Sequence, residues 1–403
     1  MSANPPSVSR RTAWWQWAIA SAIASACIAS RIIKHMISGD TFFWDYWVYQ
    51  GTMRAIRAGQ DPYLLGTIQR FGVEEGYNFT YPPIAFHALQ GLSAFSDRWV
   101  LMGYAMLFGA SVLVSLHALV GTLFKNAPFF DRACAVLAAF ATFTMAGTIM
   151  VSSANVGVML NCMILMGLAW SLKGKACWPY YAAVLLGALI KPFYLEFLIV
   201  PFLVGRPFDK SAISLILVTT LCAAVYGLFF QFDGDAFRQW VNSLTDQSLS
   251  KGVAGDNIFD LARSVWGTGI ALTAQALFSL ALIAIAGTMR TAAMPLRLSA
   301  ALIAAAFANP RIMMYDVFVA AVPIFCLLQA LIARRLRLDH KSASLAAVSF
   351  LFVIGLLSLR GNPLVPRSVA FPLIALLSLS AACLLLPGRL DLRAYLNMTK
   401  RRV

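Results

Sequence analysis

Charge is scarce in this chain. Asp, Glu, Lys and Arg make up 12% of its 403 residues, against about 25% in an ordinary soluble domain. That shortfall, beside 60% hydrophobic residues, excludes a soluble globular protein and leaves a polytopic membrane protein. Histidine is also rare: His35, His87, His117 and His340 are scattered without a paired metal spacing, and no protein metal site is legible. The seven cysteines include no CxxC and no Cys/His cluster, so they read as small core residues. Neither a phosphate-cradling P-loop nor a GxGxxG is present, which leaves ATP and soluble nucleotide sugars without a cradle. Ten-residue strands of alternating polarity are missing too, which excludes a β-barrel.

What is present is a series of apolar runs near 13–30, 98–124, 133–152, 155–172, 178–191, 193–205, 211–231, 267–289, 298–309, 313–333, 342–359 and 368–387. Backbone polar groups in lipid must be satisfied within their own segment, so these runs predict an all-α polytopic membrane protein with about 12 spans, several of them short. The net charge of +15 is explained by a cytoplasmic excess of Lys and Arg rather than by nucleic acid. Alternating the sides puts the clusters around Lys173, Arg206, Arg334 and the basic tail 388–403 inside, with both termini, and segments 31–97 and 232–266 outside. Most of the 17 acidic residues fall in those two outer segments, so the polar chemistry is expected on the outer face of one membrane domain, 1–403.

In "DYWVYQGTMRAIRAGQDPY", residues Tyr46, Tyr49, Met53 and Ile56 recur at helical spacing, and Gly59 and Pro62 end the pattern. A short amphipathic helix on the membrane surface is predicted, with Asp45 at its N-terminus, where a carboxylate can simply serve as a cap. Asp61 is expected to form an Asx-type turn, and "YPP" (Tyr81, Pro82, Pro83) to shape the return of the loop to the bundle. Lys191, before Pro192, interrupts an apolar run; it either snorkels to headgroups or binds a phosphate. Arg311 lies at a helix break with Asp316 close behind, which allows an ion pair between them.

The order of these motifs resembles membrane glycosyltransferases of family 87, a polyprenyl-phosphate-sugar-dependent branch of the GT-C class. The resemblance is carried by "DYWVYQGTMRAIRAGQDPY", then "FTYPPIAFHAL", "SSANVGVMLNCMILMGLAW", "GALIKPFYLEFLIVPFLVGR", "TDQSL" and "ANPRIMMYDVFV", and covers most of 40–330. It implies a GT-C-like bundle with a long first extracytoplasmic loop, in the plasma membrane of a bacterium. It further implies inverting transfer of a sugar, mannose or another hexose, from a polyprenyl-phosphate donor to a glycolipid or glycan acceptor on the outer face. No cofactor is implied beyond the lipid-linked donor. Asp45 matches the acidic residue that serves as general base in this class, and Asp40 is the reserve. Lys191 and Arg311 are then expected at the donor phosphate, and Trp44, Tyr46, Tyr49, Tyr81, Tyr315 and Asp316 in the substrate pocket. Tyr315 and Asp316 stand where many relatives carry His, a departure that points to a different acceptor. The competing classes are a flippase or transporter for a polyprenyl-linked sugar and a noncatalytic subunit of a glycan assembly system.

Overall fold

The computed structural model describes residues 42–383 apart from 76, 126, 175, 206–210, 246–254 and 358–366, together with 22, 25, 26, 29 and 33. Asp40, the TDQSL aspartate Asp246, most of the first apolar run and the 388–403 tail lie outside the described residues.

Among the described residues the fold is all-helical. In chain order the helices are α1 (Trp44–Arg57), α2 (Pro83–Leu92), α3 (Asp97–Leu123), α4 (Phe129–Ser153), α5 (Val156–Leu172) and α6 (Trp178–Ile190). A 3-10 helix, Pro192–Leu198, runs into α7 (Ile199–Val204), followed by α8 (Ser211–Phe232), α9 (Gly234–Thr245), α10 (Ile258–Trp266) and α11 (Thr268–Thr288). The chain continues through α12 (Met294–Ala308), α13 (Phe318–Arg335), α14 (His340–Leu357) and α15 (Arg367–Cys383). Four segments are long and apolar enough to cross a membrane: α3, α8, Thr268–Thr291 and α13.

How much of each helix is covered separates the centre from the rim. In α13 an unbroken run from Phe318 to Gln329 is buried, so this helix is the axis, packed against α4, α12 and α14. Among the residues of α8 only Val218 and Cys222 are buried, and Ile213, Ile216, Leu217 and Leu228 are exposed. Such a continuous apolar face is unstable in water and suits lipid. The chain is therefore a helical membrane protein. A buried polar chain, with Gln329 Nε2 donating to Ser344 Oγ (2.6 Å) and Ser344 Oγ donating to Asp131 Oδ1 (2.7 Å), ties α13, α14 and α4 together. Interhelical hydrogen bonds of this kind supply part of the association energy that the hydrophobic effect cannot supply in lipid.

Two expectations change. The helix of the first loop is amphipathic, but its apolar face is packed on protein: Tyr46 is 1% exposed, Tyr49 6% and Met53 0%. Gly51 makes this docking possible, since a Cβ there would sit 2.3 Å from Val73 Cγ2 in the loop below. The run at 313–333 becomes a helix only from Phe318, because residues 309–317 form a turn in which Asn309 Oδ1 accepts the Arg311 N–H at 2.8 Å. As expected, Asp61 Oδ1 accepts the Tyr63 N–H at 2.9 Å, an Asx turn. The second proline of YPP, Pro83, opens α2, where its missing N–H leaves no bond unmade.

Candidate active site

Three breaks in the helical bundle meet the first loop in one place. The first is the α4–α5 junction, where Ala154 adopts a left-handed conformation (φ 48°) and Asn155 caps α5 by accepting the Gly157 N–H at 2.7 Å. The second is Lys191, extended between α6 and the 3-10 helix. The third is the 309–317 turn between α12 and α13. The start of α1 is clamped to the first break by the Phe43 N–H, which donates to the Ser152 carbonyl at 2.7 Å. At its other end, Arg54 and Arg57 hold Asp97 at 2.8 and 2.6 Å, fixing α1 to the first turn of α3. The third break is held by Asn257 of the 232–266 segment and by Gln275 of α11. Asn257 Nδ2 donates to the Phe307 and Asn309 carbonyls, and Gln275 Nε2 to those of Phe307 and Ala308. These side chains satisfy the carbonyls that the end of α12 leaves open.

The result is a cavity of about 630 Å³ whose polar lining includes Asp45, Asn155, Asn161, Lys191, Glu196, Arg311, Tyr315 and Asp316, with Ile190, Pro192, Phe193 and Leu244 as apolar wall. Asn155 is its hub. Its Oδ1 accepts from Lys191 Nζ at 2.8 Å, and its Nδ2 donates to the hydroxyls of Tyr81 (3.2 Å) and Tyr315 (3.1 Å). Tyr81 and Tyr315 also place their rings 5.9 and 5.5 Å from the Lys191 ammonium, within cation–π range. The lysine thus turns inward. Asp316 is fixed by Asn161 Nδ2 at 3.4 Å and the Met313 N–H at 3.3 Å, so its hydrogen bonds go to these groups rather than to Arg311 as an ion-pair partner.

Asp45 faces this group from α1. Its Oδ2 is buried and has no hydrogen-bond partner. A carboxylate serving only as a helix cap would engage a backbone N–H, and no such bond is formed by Asp45. Burial pushes its pKa up to about 6, opposed by the nearby Asn155 amide, Lys191 and the Trp44 indole, and aided by Asp316.

Of the residues expected at the site, Trp44, Asp45, Tyr81, Lys191, Arg311, Tyr315 and Asp316 line the cavity. Tyr46 does not: it is buried on the far side of α1, its hydroxyl 3.4 Å from the Asp97 carbonyl. Tyr49 also stays behind the wall, because one helical step carries it from the cavity face to the bundle face. There its hydroxyl bonds that of Tyr81 (2.8 Å) and accepts the Val156 N–H (3.0 Å), supporting the hub. Asn161 and Glu196 were not anticipated. The signal was available, since each is a polar residue inside an apolar run, where polar groups face the bundle interior. No known protein family, curated protein or solved structure matches this chain.

The crowding around Gly157 gives a test of the hub that removes no functional group. A Cβ at this position would lie 2.6 Å from Lys191 Nζ and 2.8 Å from Asn155 Oδ1. Gly157→Ala is expected to displace the flexible lysine rather than unfold α5. If Lys191 holds a phosphate, as the motif resemblance implies, losing one charge-assisted hydrogen bond in this way should weaken its binding about tenfold, as read by titration with a prenyl phosphate. Unchanged affinity would separate Lys191 from that ligand.

Proposed function

We propose that the chain is an inverting GT-C-type glycosyltransferase, built on about 12 membrane spans by the topology argument above. In this reading it transfers mannose or another hexose from a polyprenyl-phosphate donor to a lipid or glycan acceptor on the outer face of the bacterial plasma membrane. The observation that carries the reading is the unpartnered Oδ2 of Asp45, buried in the cavity that Lys191 and Arg311 also line. A carboxylate with one oxygen free of any donor, in a cavity lined by two basic side chains, suits a reaction that gives up a proton and sheds a phosphate.

In the proposed step Asp45 takes the proton of the acceptor hydroxyl while its oxygen attacks the anomeric carbon. The bond between that carbon and the phosphate oxygen breaks, and polyprenyl phosphate departs with its electron pair. The leaving group gains charge rather than a proton, so it needs Lys191 and Arg311 more than it needs an acid. The apolar wall around Phe193, itself partly exposed, fits a prenyl chain.

Reconstituted protein in vesicles, supplied with radiolabelled polyprenyl-phosphate hexoses and a bacterial lipid extract, is expected to move label from the donor to a new glycoconjugate. Only the ionised form of Asp45 can accept a proton, so the rate should climb as pH rises through about 6 and level off above it. A rate that is flat from acid to neutral pH would remove Asp45 from the proton transfer. Absence of transfer from every donor, with the donor bound, would favour the noncatalytic reading.

A further inference from the structure

The phosphate and proton-transfer groups do not use all of the cavity's polar lining. Glu196 projects from the 3-10 helix Pro192–Leu198 into the same space, and no described residue hydrogen-bonds its carboxylate. Asp316 and Asn161 line that space with it, and Asn161 Nδ2 donates to Asp316 Oδ1 at 3.4 Å.

The chemistry of these three side chains narrows what can enter beside them. Two carboxyl groups disfavour a phosphate, and a prenyl chain would leave them without hydrogen-bond partners. A polyhydroxylated ring does neither, since each hydroxyl can donate to a carboxylate and accept from an amide. We infer that Glu196, with Asp316 and Asn161, forms a sugar-binding subsite that hydrogen-bonds the hydroxyls of the donor's transferred ring and sets which sugar is accepted. The inference rests on the proposed function and adds the residue that selects its sugar. A site built to hydrogen-bond a hydroxyl discriminates strongly against a ring that lacks it or turns it away, because the buried acceptor is then left unpaired.

The test uses fluorescence of Trp44 and Trp240, which line the cavity, to titrate full-length protein with farnesyl phosphate and with its mannosyl, glucosyl, galactosyl and arabinofuranosyl esters. Wild type is expected to bind farnesyl phosphate, and one ester at least tenfold more tightly. Glu196→Gln should keep its affinity for farnesyl phosphate within twofold and lose most of the sugar-dependent gain, about tenfold for one charge-assisted hydrogen bond. Glu196→Asp, which keeps the charge but shortens its reach, should lose part of that gain and decides the matter if the Gln variant fails to fold. A sugar-dependent gain that survives in both variants overturns the subsite while leaving the phosphate reading intact. Wild-type protein that does not bind farnesyl phosphate overturns the proposed function itself.

Discussion

Asp45→Asn protein is expected to fold, to bind a polyprenyl phosphate like the wild type, and to transfer sugar about 10²- to 10⁴-fold more slowly, the range for a lost general base. Asparagine keeps the shape of the side chain and one acceptor oxygen, so packing at the start of α1 is preserved. It replaces Oδ2, the buried and unpartnered atom, with a group that cannot take a proton. Stability is a useful control because the substitution removes a buried carboxylate that burial already disfavours in its charged form. The unfolding midpoint of Asp45→Asn should therefore equal or exceed that of wild type. A residue whose role was capping would show the reverse pattern, losing up to about 1 kcal/mol of stability with turnover retained. Measuring kcat and the thermal midpoint of the same preparation separates the two. Asp40→Asn belongs beside it: full activity there confirms the assignment, whereas an inactive Asp40→Asn with an active Asp45→Asn moves the base to Asp40.

The parts of the fold that depend on local pattern were legible in the sequence. Spans read as 98–124, 155–172 and 211–231 appear as Asp97–Leu123, Val156–Leu172 and Ser211–Phe232, because apolar runs in a lipid solvent have few alternatives to helix. The helix breaks were legible too, through Pro192 and the Asn309–Pro310 pair. What a one-dimensional pattern cannot carry is which face of a helix meets protein. Tyr46 and Tyr49 share the helical spacing of a surface stripe, yet both turn into the bundle, since α1 is covered by the loop at 68–73 as well as by α3. The grouping of Asp45, Lys191, Arg311 and Asp316 was anticipated through the motif resemblance, and their sequence separations alone imply no contact. Asn155 shows the limit most plainly. As a sequence feature it is an ordinary helix cap, and only the folding of α1, α2 and the 309–317 turn onto α5 makes it a junction for Lys191, Tyr81 and Tyr315.

Lys191→Gln and Arg311→Gln should each raise the KM for the lipid-linked donor, by about 10- to 100-fold for a lost charge-assisted contact of 1.5–3 kcal/mol. The two alternatives for Lys191 predict different results. A snorkelling lysine sends its ammonium to the headgroups, and its replacement by glutamine is nearly silent. Here the ammonium is held inside by Asn155 at 2.8 Å and lies between two tyrosine rings, so little of its charge is available to headgroups. Glutamine can still donate to Asn155, which keeps the hub assembled and confines the loss to the charge. For Arg311 the surrounding turn is fixed by Asn309 and Asn257, so removing the guanidinium leaves the backbone supported. If both groups grip one phosphate, the double variant must depart from additivity, because the second substitution acts on a ligand whose position the first has already loosened. The cycle is read from donor KM in the two single variants and the double. Wild-type KM in both singles would return Lys191 and Arg311 to structural roles. Strict additivity would place them on separate parts of the donor, with only one at the phosphate.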